Sequence, residues 1–275
     1  MCRLKSCIVL KNRIFCPPYD SHQEMLEELH IEDNETNAAK TFVRVELRPP
    51  ENTNLIISEE WFTSLSKPLS EWTLVVDQDI LPDWWEPAIY RLAIEKEVQK
   101  WLDKYVLIER RNRVIQGRGL IEQYHLYKCE NIALINTCAN LLNCKQIRCD
   151  SGNRIVACNS EVISGAAPDI QYELYGNSSL MCHNESPVWA YNNSTVFSCV
   201  GNIYLKDNAT CIAQGDTSVF AFGNSTVKAS GQSIVRAYGS VKLELSEEAT
   251  AIVGSSTVKY SIAGSTATLI KKFDK

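Results

Sequence analysis

The sequence predicts a small α+β domain over residues 1–110, a linker or cap over 111–131, and a parallel β-solenoid built of octad repeats over 132–275. Charge divides the chain: residues 1–110 hold 13 Lys+Arg against 20 Asp+Glu, a net of −7, whereas residues 111–275 hold 15 against 13, a net of +2. Composition shifts at the same place. Five of the six tryptophans (Trp61, Trp72, Trp84, Trp85, Trp101) lie in the first region, while Ser, Thr, Asn, Gly, Val and Ala crowd the second. Such a switch marks a change of architecture. The third observation is the repeat itself. Residues 208–255 read as six consecutive octads, NATCIAQG, DTSVFAFG, NSTVKASG, QSIVRAYG, SVKLELSE and EATAIVGS, with no insertion.

In the first region, residues 6–15 alternate apolar and polar around Lys11-Asn12-Arg13, as a hairpin does. Asp20 or Ser21 caps a short helix carrying Met25, Leu26 and Leu29 on one face. Residues 41–47 alternate cleanly (Phe42, Val43, Val45, Leu47) and end at Pro49-Pro50, which reads as a strand; residues 72–76 read as a second. Asp83 or Trp84 then opens a helix through about Tyr105, with Ile89, Leu92, Ala93, Val98, Trp101 and Leu102 at helical spacing for its core face.

In the second region, the fourth octad position runs Cys211, Val219, Val227, Val235, Leu243, Ala251, and the sixth runs Ala213, Ala221, Ala229, Ala237, Leu245, Val253. Two residues apart, they share one side of a strand. The residues between them (Ile212, Phe220, Lys228, Arg236, Glu244, Ile252) face outward and are mixed in character. Gly215, Gly223, Gly231 and Gly239, with Asn208, Asp216 and Asn224, supply turns that tolerate positive φ. One octad cannot bury so small an apolar face alone, so neighbours stack into coils of two or three octads. Residues 132–167 read as irregular first coils, with Cys138, Cys144, Cys149 and Cys158 in place of the later Val and Ala. Residues 84–105 or the basic segment after them would cap the first coil, and 271–275 the last.

The whole chain is 45% hydrophobic and 22% charged, the balance of a folded protein, and its net charge of −5 argues against wholesale attraction to nucleic acid. No apolar run approaches the roughly 18 residues of a membrane span, so no membrane association is expected. Eleven cysteines, an odd number spread along the chain without a recognisable export signal, point to a reducing compartment and a cytoplasmic location.

Candidate chemistry is sparse. Removal of Met1 would leave Cys2 with a free α-amine beside its thiol, the equipment of an N-terminal nucleophile, with His22, Asp20 and Glu24 near enough in sequence to orient it. The bland reading is cysteine used as a small hydrophobe. No C-x-x-C occurs, and His22, His30, His125 and His183 form no i, i+4 pair, so no metal and no cofactor is expected. Asp77, Asp79, Asp83 and Glu86 gather after a strand beside Trp84 and Trp85; these six are the expected binding residues, against the plain reading of an Asp-rich turn that caps a helix. Nucleic acid contact is confined to Arg110, Arg111, Arg113 and Arg118, a segment that reads equally as a charged edge guarding the first solenoid strand. The Asn-x-Ser/Thr triplets at Asn177, Asn193, Asn208 and Asn224 follow from the turn consensus and do not argue for glycosylation.

The octads NSTVKASG and QSIVRAYG, with the stretch Val75-Val-Asp-Gln-Asp-Ile-Leu-Pro-Asp-Trp-Trp, resemble a loose group of phage and prophage accessory proteins that set a short N-terminal domain before an Ala-x-Gly-Asn-Ser-x-Val solenoid. The opening residues through Cys16 and Tyr19-Asp-Ser-His are similar to phage proteins from gut bacteria. The resemblance implies architecture and phage origin, and it transfers no catalytic residue. The expectation is a non-enzymatic binding protein that engages a host protein, such as a defence nuclease, as an inhibitor of anti-CRISPR kind, with oligomerisation open. The alternatives are an enzyme using Cys2 and a virion component or adhesin.

Overall fold

The computed structural model describes residues 5–50, 58–118, 122–264 and 266–272. The chain forms two units, Met1–Leu107 with Ile121–Gln123, and Ile108–Leu120 with Tyr124–Lys275.

The first unit is built on an antiparallel sheet of four strands, β1 (Lys5–Leu10), β2 (Arg13–Phe15), β3 (Phe42–Arg48) and β4 (Thr73–Val76), in the order β2-β1-β3-β4. The expected hairpin is β1–β2, paired from Ile8↔Phe15 to Leu10↔Arg13. Helix α1 (His22–Glu28) is capped by Ser21, whose Oγ accepts from the Glu24 N–H at 3.3 Å, while Asp20 is drawn instead to the buried Lys5 at 2.5 Å. Met25 and Leu26 of α1 pack with Ile8, Ala38 and Phe42. Two short helices went unforeseen: α2 (Glu35–Ala38), capped by Asn34, and α3 (Glu59–Leu65), capped by Ser58.

Helix α4 runs Pro87–Tyr105 and does not begin at Asp83 or Trp84. Proline fits the first helical turn, but it drives the preceding residue out of the α region, and Glu86 is extended at φ −137° and ψ 107°. Its buried stripe is Ile94, Val98, Trp101, Leu102 and Tyr105. Ile89 and Leu92, expected in that stripe, are 65% and 76% exposed.

The second unit is a parallel β-solenoid, whose strands run from Val106, two residues before the division, to Lys271. Residues 111–131 are no linker: Arg111–Gln116 and Gln123–Tyr127 are solenoid strands, the former pairing Arg113↔Ile132 through Gln116↔Ile135. A charged sequence serves there because that strand's side chains are exposed apart from Ile115. Residues 132–167 also pair in parallel with the coils on either side, with one irregularity, a register shift between Gly152 and Ile155. The basic segment therefore belongs to the first coils and does not cap them.

Each octad pairs with the next but one, as in Cys211↔Val227, Val227↔Leu243 and Val219↔Val235. A coil is thus two octads, and about ten coils stack as two parallel sheets enclosing one narrow core. Fourth and sixth octad positions point inward, with Val219, Val227, Val235, Ala213, Ala221 and Ala237 all fully buried. The second position is buried too: Ser160, Ser178, Ser194, Ala209, Ser225 and Val241 line one inner corner, where Ser160 Oγ accepts from Cys144 N–H at 3.0 Å. Ser178 Oγ accepts in the same way from the Ser160 N–H at 3.2 Å, so hydroxyls satisfy backbone donors at this end of the corner.

Many of the corners are turned through a left-handed residue. One corner stacks Asn143, Asn159, Gly176, Asn192, Asp207, Gly223 and Gly239, with φ from 48° to 83°. Asn, Asp and Gly tolerate this region best. Of the expected turn residues, the glycines take this role; Asn208 and Asn224 stand one place later, and Asp207 and Asn192 carry the positive φ instead.

Val227→Asp is expected to unfold the solenoid. A buried unpaired charge costs several kcal/mol, comparable with the ~5–15 kcal/mol stability of a whole domain. Lys228→Asp is expected to be tolerated, because Lys228 lies outside in an exposed ion pair with Glu244 at 2.9 Å. Thermal unfolding of the two variants decides; equal melting would show the inward register to be wrong.

Candidate functional site

Cys2 lies outside the described residues. Its proposed partner His22 is committed elsewhere: buried, it sets Nδ1 3.1 Å from Asp77 Oδ2 and Nε2 3.1 Å from the Val45 carbonyl. Both ring nitrogens are engaged within the unit's own structure, tying α1 to β3 and to the end of β4.

The acidic cluster is assembled at that end. Asp77 N–H donates to the Arg44 carbonyl at 2.9 Å, which continues the β3–β4 ladder by one residue. Gln78 then folds back on β3. Its Oε1 accepts from Arg44 N–H at 2.8 Å, and its Nε2 donates to the Phe42 and Ile80 carbonyls at 3.2 and 2.6 Å. These bonds hold the segment that displays Asp79, Ile80 and Leu81. Trp84 donates its indole N–H to the Lys40 carbonyl at 2.8 Å and meets Tyr90 edge-on at 5.5 Å, while Trp85 stacks on Tyr90 at 5.3 Å. Both tryptophans are half-buried, so they act first as the mount of the segment. Arg91 fixes the start of α4 by donating to the Leu69 and Trp72 carbonyls at 2.6 and 2.7 Å.

What this mount presents is apolar. All four exposed large hydrophobic side chains among the described residues of the first unit fall in this segment: Ile80, Leu81, Ile89 and Leu92. Ile89 and Leu92, three apart, share a face of α4. Asp79, Asp83 and Glu86 are exposed and make no ion pair among the described residues. The expected six residues are therefore gathered in one segment, but its exposed apolar members were misassigned to the core. Sequence reasoning missed them because helical spacing shows which residues share a face without showing what covers it.

The other candidates are dispersed. Arg111 pairs with Glu130 at 3.2 Å, and Arg113 is exposed two residues along the same strand, so the basic segment is an outer strand surface. Among the described residues, no three His, Cys, Asp or Glu side chains form a metal-holding group, and no helix is long and apolar enough to cross a membrane. Cys129 and Cys144 occupy equivalent corner positions on successive coils; the Cys144 thiol hydrogen-bonds Cys129 and lowers its pKa, yet both are 1% exposed. The cysteines serve mainly as small core residues: Cys144, Cys149, Cys182 and Cys211 are buried, whereas Cys138 and Cys158, also expected inside, are half-buried. Compared with known proteins, the chain matches no family model, no curated protein and no solved structure.

Burial pushes the Cys149 and Cys211 thiols well up, because a thiolate is disfavoured where water is absent. Cys199 is exposed. A thiol-specific reagent is expected to label Cys199 promptly in the folded protein and to reach Cys149 and Cys211 only in denaturant. Peptide mapping checks this, and prompt labelling of Cys211 would contradict the stacking of its coil.

Proposed function

We propose that this chain is a non-enzymatic binding protein of the phage accessory type, acting in the host cytoplasm by engaging a host protein through residues 77–92. The observation that carries the reading is the exposure of Ile89 and Leu92, at 65% and 76%, beside the exposed carboxylates Asp79, Asp83 and Glu86, which make no ion pair among the described residues. Exposed apolar side chains rimmed by charge are the usual composition of a protein-binding patch. The acidic rim favours a partner with a basic, partly apolar surface. A nuclease has such a surface, since holding a phosphate backbone requires cations, and a host defence nuclease is the instance proposed. The carboxylates would steer association and the apolar pair would anchor it.

The test is a binding measurement against the partner captured from bacterial lysate and then purified. Ile89→Ser with Leu92→Ser is expected to weaken binding by about 1,000-fold, if each anchor contributes ~2 kcal/mol, and to leave the melting temperature unchanged. Asp79→Lys with Glu86→Lys is expected to slow association and flatten its salt dependence. Binding unchanged in both variants would remove the reading. So would turnover of a substrate by sub-stoichiometric protein that Cys2→Ser abolishes, the result required by an N-terminal-cysteine enzyme.

A further inference from the structure

The second unit carries a surface of opposite chemistry on the outside of one of its two sheets. Parallel register places Glu173, Trp189, Tyr204, Phe220, Arg236 and Ile252 directly above one another on successive coils. Trp189, Tyr204 and Phe220 stack with ring centroids 5.1 Å apart and planes within 11°, and the Arg236 guanidinium closes the column 5.1 Å from the Phe220 ring. Two residues further along each strand runs a second column. Tyr175 stacks on Tyr191 at 4.9 Å, Lys206 lies 5.7 Å over Tyr191, and Phe222 stacks on Tyr238 at 5.5 Å. Tyr238 lies over Gly254, where a Cβ would stand 2.4 Å from the ring. At ~4.8 Å per coil the face is about 24 Å long.

Ring orientation decides what this face can bind. Within the columns, stacking covers ring faces with one another or, on Tyr191 and Phe220, with a cation, so the stacked rings present their edges outward. Sugar rings and nucleobases are held on open aromatic faces, and inside the columns those faces are taken up by neighbouring rings or by the two cations. The edges carry the positive end of the ring quadrupole. Lys206 and Arg236 add full charges, and neither makes an ion pair with a carboxylate among the described residues. Glu173, the carboxylate within the columns, is held by Arg154 in a two-pronged pair at 2.9 Å. Asp207, beside Lys206, accepts from the Asn192 N–H at 3.0 Å.

We infer that this edge-on aromatic face with Lys206 and Arg236 is a second docking surface, fitted to an acidic protein segment that carries apolar side chains. The carboxylates would meet the two cations and the electropositive ring edges, and the apolar side chains would cover the ring perimeters. A helix of about 16 residues spans the face. The inference concerns the solenoid alone and does not rest on residues 77–92.

The test uses the full chain and a fluorescent synthetic peptide about 20 residues long, alternating glutamate with leucine and phenylalanine. Its partners are the same peptide with every glutamate replaced by glutamine, an oligothymidylate and cellohexaose. The acidic peptide is expected to bind at least about tenfold more tightly than the glutamine form, and more weakly as salt rises. Lys206→Glu with Arg236→Glu is expected to weaken it at least about tenfold with no change in melting temperature, both side chains being outside the core. Ile89→Ser with Leu92→Ser is expected to leave it unchanged, which separates this surface from the one in the first unit. Tyr204→Ser is expected to weaken binding of the glutamine form as well. Equal binding of the two peptides would overturn the inference, as would indifference to Lys206→Glu with Arg236→Glu. Tighter binding of the oligothymidylate or cellohexaose at this face, or its occlusion by a second copy of the chain in solution, would do the same.

Discussion

The solenoid depends on one constraint: parallel stacking in register, so that a residue type placed at one octad position recurs every ~4.8 Å along the axis. Inside, that periodicity closes a core from side chains as small as Ala and Val, because each inner residue is covered by its equivalents on the coils beside it. Between Leu134 and Leu245 the sixth position passes from Cys149 through Ser164, Cys182 and Ser198 to Ala213 and Ala229, an exchange among small residues. At the corners it stacks left-handed Asn, Asp and Gly residues, whose side chains bond backbone on the adjoining coil, as Asn192 Oδ1 does to the Gly176 N–H at 3.1 Å. Outside, the same constraint turns isolated aromatic residues into columns.

The first unit follows a different logic. Its sheet and helices are fixed by side-chain caps at the starts of α1, α2 and α3 and by a core of large side chains, Phe42, Phe62, Trp72 and Met25 among them. Once Pro87 has set where α4 begins, the stripe that packs is Ile94, Val98, Trp101, Leu102 and Tyr105, and the first turns extend beyond it. Trp84, Trp85, Tyr90 and Arg91 then spend their polar and aromatic contacts on holding those turns in place. Ile89 and Leu92 are left outward by a rigid local framework.

The chain therefore carries an acidic apolar surface on one unit and a cationic aromatic surface on the other. The opposite signs agree with the division of net charge, −7 over residues 1–110 and +2 over 111–275. A formal charge of +2 is small, however, and the character of the solenoid face rests less on that total than on which ions lack partners. Lys228–Glu244 and Arg154–Glu173 cancel within their own pairs, whereas Lys206 and Arg236 lie against rings.

Much of this was legible in the residues alone. The octads determined the solenoid, its inward fourth and sixth positions and its glycine corners, because a repeat of small apolar residues can be buried only by stacking. Alternation at Phe42–Leu47 and the Ser21 cap determined local elements of the first unit, because strand period and capping chemistry are properties of short segments. The cluster from Asp77 to Glu86 was visible as a concentration of charge and tryptophan. Tertiary structure alone decided that a coil holds two octads, that the arginine segment is a strand, that His22 is bound by Asp77 and Val45, and that Ile89 and Leu92 face outward. It also assembled the aromatic columns, whose members lie 15 or 16 residues apart in sequence. The reason is the same in each case: a sequence pattern specifies which side chains share a face, and only packing between distant segments decides what, if anything, covers it.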